Sequence, residues 1–130
     1  MTSGDDITQY NEALPADARV FADELRQIFD SKLNQSSGKV WHGHPVWFID
    51  GNPIAGYSLK KAGVEVLFWS GQSFIETALR PIGRFKAAGI SISAKQDVGK
   101  VVACIPQALA IQWDYKNLPK LRKLLKRTDF

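Results

Sequence analysis

The sequence predicts an α+β domain, an antiparallel β-sheet packed against N- and C-terminal helices. Three observations carry that prediction. Near the N-terminus, apolar residues recur at three- and four-residue spacing, the mark of an amphipathic helix. Between residues 46 and 69 the period changes to two, and turn dipeptides interrupt the alternating runs. After residue 97 a helical pattern returns. Helices, then strands, then helices is the order of an α+β fold, not of a parallel sheet with alternating helices.

The elements follow in order. Residues 1–7 are expected to be a flexible tail. Thr8–Ala13 reads as a short helix that ends near Leu14–Pro15. Pro15 opens a second helix, at a position proline tolerates because the first N–H groups lack partners anyway. That helix runs to about Leu33, with Ala18, Phe21, Leu25, Ile28 and Phe29 on one stripe. Asn34–Gly38 reads as a loop. Val46–Asp50 is a strand, Asp50–Gly51–Asn52–Pro53 a turn and Ile54–Leu59 the returning strand, since Asp-Gly between apolar runs signals a hairpin.

Lys60–Gly63 is a second turn and Val64–Trp69 a third strand. There Val64, Val66 and Phe68 face one way, and Glu65, Leu67 and Trp69 the other. Ser70–Phe85 is irregular or briefly helical around Phe74–Leu79. Ala88–Ser93 is a further strand. For residues 97–112 a helix capped by Asp97 is expected over a strand at Val101–Ile105, although Pro106 stands inside it. Asn117 caps a final helix, with Pro119 in its first turn and Leu121, Leu124 and Leu125 facing inward.

Length and composition bound the function. A chain of 130 residues forms one domain, residues 1–130, with a core of its own. Cys104 stands alone, so no internal disulfide forms and a reducing compartment suits the chain. MTSGDDITQY lacks a signal-peptide pattern and no apolar run is long enough to span a bilayer, so the expected address is the cytoplasm. Net charge is +4, but residues 1–30 carry −5 and residues 31–130 carry +9. The basic excess, with Lys60, Lys61, Arg80, Arg84 and Lys86 beside the meander, is expected to be a solvated surface; a nucleic-acid or phosphate groove is the alternative. No phosphate-cradling loop, dinucleotide fingerprint or nucleophile elbow occurs, and no catalytic residue is assigned. An enzyme of unknown reaction using His42, His44 and Asp114 is a lesser alternative.

The stretch WHGHPVW, residues 41–47, raises a metal question. In an extended segment His42 and His44 project to one side and could meet one ion. No spacing nominates a third ligand. The competing expectation is that the imidazoles bond backbone groups and stack between Trp41 and Trp47. On the second helix, Arg19 with Asp23 and Arg26 with Asp30 form ion pairs four residues apart, so a solvated, self-paired face is expected; the alternative is a looser site for a hard cation, in which Asp17 and Glu24 join Asp5, Asp6 or Glu12.

Aromatic residues suggest a ligand pocket. Trp41, His42, His44, Trp47, Tyr57, Trp69 and Trp113 are its candidate lining, on whichever sheet face the helices leave open. Pleating puts Trp47 and Ile49 on the face opposite Val46 and Phe48. The alternative is that loop 70–86 and the C-terminal helices cover that second face. Cys104, in VVACIP, reads as a small buried hydrophobe, and Asp114 as a cap or a lysine partner.

Three stretches carry a family likeness: the opening helices around Tyr10, Leu14 and Pro15; KVWHGHPVWFIDGNPIAGY, residues 39–57; and IQWDYKNL, residues 111–118. Over roughly residues 8–127 the chain resembles the YdhG-like family of small bacterial domains, some of which are described as frataxin-type iron chaperones. The resemblance implies a helix-covered antiparallel sheet, iron or another divalent metal as the bound species, and iron–sulfur assembly proteins as partners. It supplies no catalytic residues. The expected function is therefore a small intracellular non-enzymatic binding protein, metal-handling by resemblance. The alternative binds a small ligand or a phosphate-rich partner on an aromatic sheet face with a basic rim.

Overall fold

The computed structural model describes residues 3–83, 85–118 and 124–127. Among them, α1 spans Ser3–Glu12 and α2 Ala16–Lys32; β1 is Ser37–Trp41, β2 His44–Ile49, β3 Asn52–Lys60, β4 Gly63–Phe68, β5 Arg80–Pro81 and β6 Ala88–Ile92; α3 is Lys95–Ala110. The strands form one antiparallel sheet in the order β1-β2-β3-β4-β6-β5. The α+β class read from the sequence is the class observed.

The helices lie on one face of this sheet because their apolar stripes share one set of strand residues. α2 buries Ala18, Ala22, Leu25 and Phe29. The Phe29 ring packs on Trp47 at 5.0 Å and on Phe68 at 6.4 Å between centroids. Burial of such a ring contributes about 1.5–3 kcal/mol. Val64, Val66 and Phe68 belong to this core, as alternation predicts, with Ile90 and Ile92 beside them. α3 adds Val98, Val101, Cys104, Ile105 and Ala108. α1 packs on β1, where Ile7 is buried and approaches Gly38.

Several expectations need correction. The predicted tail is helical from Ser3, and the buried Ile7 anchors it. The predicted loop 34–38 ends in β1, a polar strand whose pattern is hidden because it lies at the sheet edge. The carboxylate of Asp6 covers that edge by accepting the Val40 N–H at 2.9 Å. Phe74–Leu79 is not helical; only Gly71–Ser73 makes a 3-10 turn. α3 tolerates Pro106 on its exposed side and starts at Lys95, before Asp97. Asp97 reaches back from the first turn to accept the N–H groups of Ser93 and Ala94 at 2.9 and 3.0 Å. These bonds, Ser93 foremost, hold its carboxyl below the usual carboxylate range.

The expected final helix falls partly outside the described residues, including Pro119 and Leu121. The described part beyond them is extended. Trp113 bridges Lys126, the Asp114 N–H donates to the Leu125 carbonyl at 2.7 Å, and Leu125 is exposed, not inward. Asn52, at the start of β3, fixes this strap. Its side-chain amide donates to the Trp113 carbonyl at 2.9 Å, and its oxygen accepts the N–H groups of Tyr115 and Lys116 at 2.9 and 3.1 Å.

Candidate binding face of the sheet

Register defines the face away from the helices. Directly paired residues share a side. The pairs Trp41–His44, Lys39–Val46 and Ser37–Phe48 therefore put these six residues together, opposite Trp47. The same side continues through Gly56 and Leu67, and through Ser58 and Glu65. Among the described residues no helix lies there.

Three rings meet on that face. The Trp41 ring is 5.3 Å from Phe48 and 6.3 Å from Trp69 between centroids. All three are half-buried, yet Val46 on the same face is 0% exposed. Trp41 reaches across the strands as a partial cover. Lys39 Nζ sits 4.9 Å from the Phe48 ring centre, a cation–π contact at the margin.

The two histidines do not lie in one extended segment. His42 and Gly43 are the two central residues of the β1–β2 hairpin, with φ of 53° and 85°. That pair of positive angles is the type I′ turn that matches strand twist. His42 is exposed and packs against Trp41 at 4.0 Å between ring centroids with the planes tilted by 53°, whereas His44 opens β2 and is half-buried. Burial pushes the His44 imidazole below its ordinary pKa, with Lys60 and His42 adding to the effect; the bond to the Pro45 carbonyl opposes it. The expected stacking between Trp41 and Trp47 fails, because Trp47 points to the other face.

Other predicted pocket residues go elsewhere. Trp47 and Tyr57 are 0% and 1% exposed beneath the helices. The Trp47 indole N–H donates to Asp30 at 2.8 Å, and the Tyr57 hydroxyl to Asn11 at 2.7 Å. Trp113 belongs to the strap: its indole N–H donates to the Ser73 hydroxyl at 3.0 Å, and Lys86 lies over its ring. Of the seven candidates, Trp41, His42, His44 and Trp69 remain at this face; Phe48 joins them, and alternation with Trp47 is the signal that marks it.

The acidic helix is largely committed to the fold. Asp23 pairs with Arg19 at 3.6 Å and accepts the Asn11 amide at 3.0 Å; Asp30 pairs with Arg26 at 3.5 Å besides holding Trp47. Asp17 accepts the Ala18 N–H, and Glu24 is half-buried. Among the described residues no three His, Cys, Asp or Glu side chains assemble into a metal-binding group. Asp114 accepts from the backbone and side chain of Asn117, a turn cap. Lys60 and Lys61 lie at the β3–β4 turn, Arg80 on β5 and Lys86 over Trp113; Arg84 is outside the described residues. No described helix is long and apolar enough to cross a membrane. Comparisons with family models, with curated proteins and with solved structures find no match to this chain.

Proposed function

We propose that this chain is a non-enzymatic binding protein whose contact surface is the sheet face carrying Trp41, Phe48 and Trp69. The observation that supports this reading is the contact of Trp41 with both other rings on a face free of described helices. Ring faces accept planar groups by stacking, at about 1–3 kcal/mol per ring. Lys39 at the margin, with His42 and Lys60 near His44, favours a ligand that joins a planar ring to a negative group. A nucleoside monophosphate has that chemistry and serves as the first probe.

Titration of the intrinsic tryptophan fluorescence with adenosine monophosphate tests the reading. The expected result is saturable quenching that weakens with salt and falls about tenfold or more in affinity in Trp41→Ala. Quenching unchanged by that substitution, or none at millimolar ligand, overturns it. Iron handling, suggested by the YdhG-like resemblance, would draw on His42 and His44. No third ligand among the described residues supports it, so the aromatic face is the stronger reading.

A further inference from the structure

The sheet has two edges, and they are finished differently. At β1, α1 lies along the edge and Asp6 takes the Val40 N–H. At the far side, β5 pairs with β6 only through Arg80–Gly89 and Pro81–Ala88. The Ile82 N–H donates to the Ala87 carbonyl at 2.9 Å, which fixes the ladder's parity. Odd-numbered residues of β6 turn their backbone groups toward β5, and even-numbered ones toward β4. Ser91 therefore points its N–H and C=O away from β4, beyond the place where β5 stops.

Among the described residues none fills that place. In the β5 register Ala78 would stand opposite Ser91, but its N–H is turned to the Glu76 carboxylate at 3.1 Å. A cleft of about 540 Å³ separates the Thr77–Ala78 segment from Ser91. Farther along β6 the next outward N–H, that of Ser93, is already taken by Asp97. The open slot is bounded by Arg80 at one end and Ser93 at the other, room for about three extended residues at roughly 3.3 Å each.

We propose that this slot binds a short extended peptide, which adds to β6 by exchanging backbone hydrogen bonds with Ser91. Unpaired edge groups beside a preformed cleft are the requirements of strand addition. Charge selects the peptide. Arg80 and Lys100 line the cleft; Arg80 makes no ion pair among the described residues, and Lys100 reaches Asp97 only at 3.9 Å. Glu65 faces them from β4, and the Asp97 carboxylate is occupied by Ser93 and Ala94. The peptide carries a carboxylate toward Arg80 and Lys100 and leaves its donors for Glu65. This site is separate from the aromatic face and stands or falls without it.

The test is amide-resolved NMR of the whole chain with acetyl-Thr-Val-Thr-Asp-amide. Acetyl-Thr-Val-Thr-Asn with a free C-terminal carboxylate, and its neutral amide, are the comparison arms. With a carboxylate-bearing peptide, the Ser91 amide is expected to shift saturably and its hydrogen exchange to slow about tenfold or more. The arm that does so identifies a side-chain or a terminal carboxylate as the source. Ser91→Pro removes the donor where an edge strand accepts proline, so binding is lost while the thermal transition is kept. Should that variant not fold, Arg80→Glu gives the answer: about tenfold weaker binding of the acidic peptides, with the neutral peptide unaffected. A Ser91 amide unmoved by every peptide overturns the proposal. So does an amide already protected in the free chain, which assigns the slot to residues 77–79, or one that shifts with protein concentration alone, which assigns it to a second copy.

Discussion

The indole N–H of Trp47 donates to Asp30 Oδ1 at 2.8 Å, so a carboxylate on the outward side of α2 satisfies a donor buried in the sheet. Trp47 is 0% exposed, whereas the Asp30 side chain is half open to water. Asp30→Ala leaves the indole without its acceptor, and urea unfolding is expected to show a loss of about 1–2 kcal/mol. Asp30→Asn keeps an acceptor and retains most of the stability. Asp17→Ala, which removes only a local bond to Ala18, is the control with little change. Equal effects of Asp30→Ala and Asp17→Ala would exclude this role for Asp30.

Asn52 predicts a larger effect. It is 2% exposed and joins β3 to the strap through Trp113, Tyr115 and Lys116. Asn52→Leu buries a side chain of similar size with none of those bonds; it leaves the Lys116 N–H without its acceptor and the Trp113 carbonyl and Tyr115 N–H with only their mutual bond at 3.0 Å. The expected loss is about 2–4 kcal/mol, with faster exchange of the Tyr115 and Lys116 amides than of the sheet. Global destabilisation without that local signature would mean the strap is held by something else.

How much was legible beforehand depended on whether a residue's role was local. The stripe Ala18–Leu25–Phe29 and the alternation Val64–Val66–Phe68 encode which side is buried, so α2, the meander and the core were readable. β1 was not: Ser37, Gly38 and Lys39 have loop chemistry and become a strand only because β2 and Asp6 pair with them. Site residues divided the same way. Pleating separates Trp47 from Phe48, but the number of aromatics does not say which set the helices cover. The histidines were misread because an extended course through WHGHPVW puts both imidazoles on one side, whereas the chain reverses at His42–Gly43, a feature of backbone angles.

That reversal gives a third prediction. With φ of 53° at His42 and 85° at Gly43, the turn penalises any residue that resists the left-handed region. Apart from its two chain neighbours, no atom of the described residues lies within 4 Å of a Cβ placed on Gly43, so Gly43→Ala meets backbone strain and no clash. It is expected to cost about 1 kcal/mol, and His42→Val about 1–2 kcal/mol, while His42→Asn is neutral or stabilising. Thermal unfolding of the three variants checks the order. A neutral His42→Val would show that the hairpin adopts another turn.

Divalent metal offers a fourth. On α2, Asp23 and Asp30 are bonded to Arg19, Asn11, Arg26 and Trp47, so a cation binding those two carboxylates must break contacts that stabilise the fold. His42 and His44 alone leave an ion short of the four ligands a stable site needs. Millimolar Fe(II) or Zn(II) is therefore expected to leave the melting temperature at its value in matched ionic strength. A rise abolished by the His42→Ala/His44→Ala double variant would reinstate metal handling.

The last prediction concerns alkaline pH. Cys104 is 1% exposed in α3, and burial pushes its thiol up to about 11, with the Glu76 carboxylate adding to the shift. The neutral thiol is the form that fits the core, whereas in the unfolded chain it ionises from about 9. Between those values the unfolded state has released a proton that the folded state keeps, so stability falls as pH rises. The contribution is whole below about 9 and gone once pH passes about 11. Tyr57 and Tyr115, both raised by burial from an ordinary value of 10, add to the decline from about that pH upward. Cys104→Ala removes the thiol for a small loss of volume, so the slope of unfolding free energy between these pH values should flatten relative to the parent. Native-state labelling by a thiol reagent should proceed only through opening of α3 and accelerate with denaturant. Parallel pH profiles for the parent and the alanine variant would place the thiol in contact with water in the folded state and remove its part in alkaline unfolding.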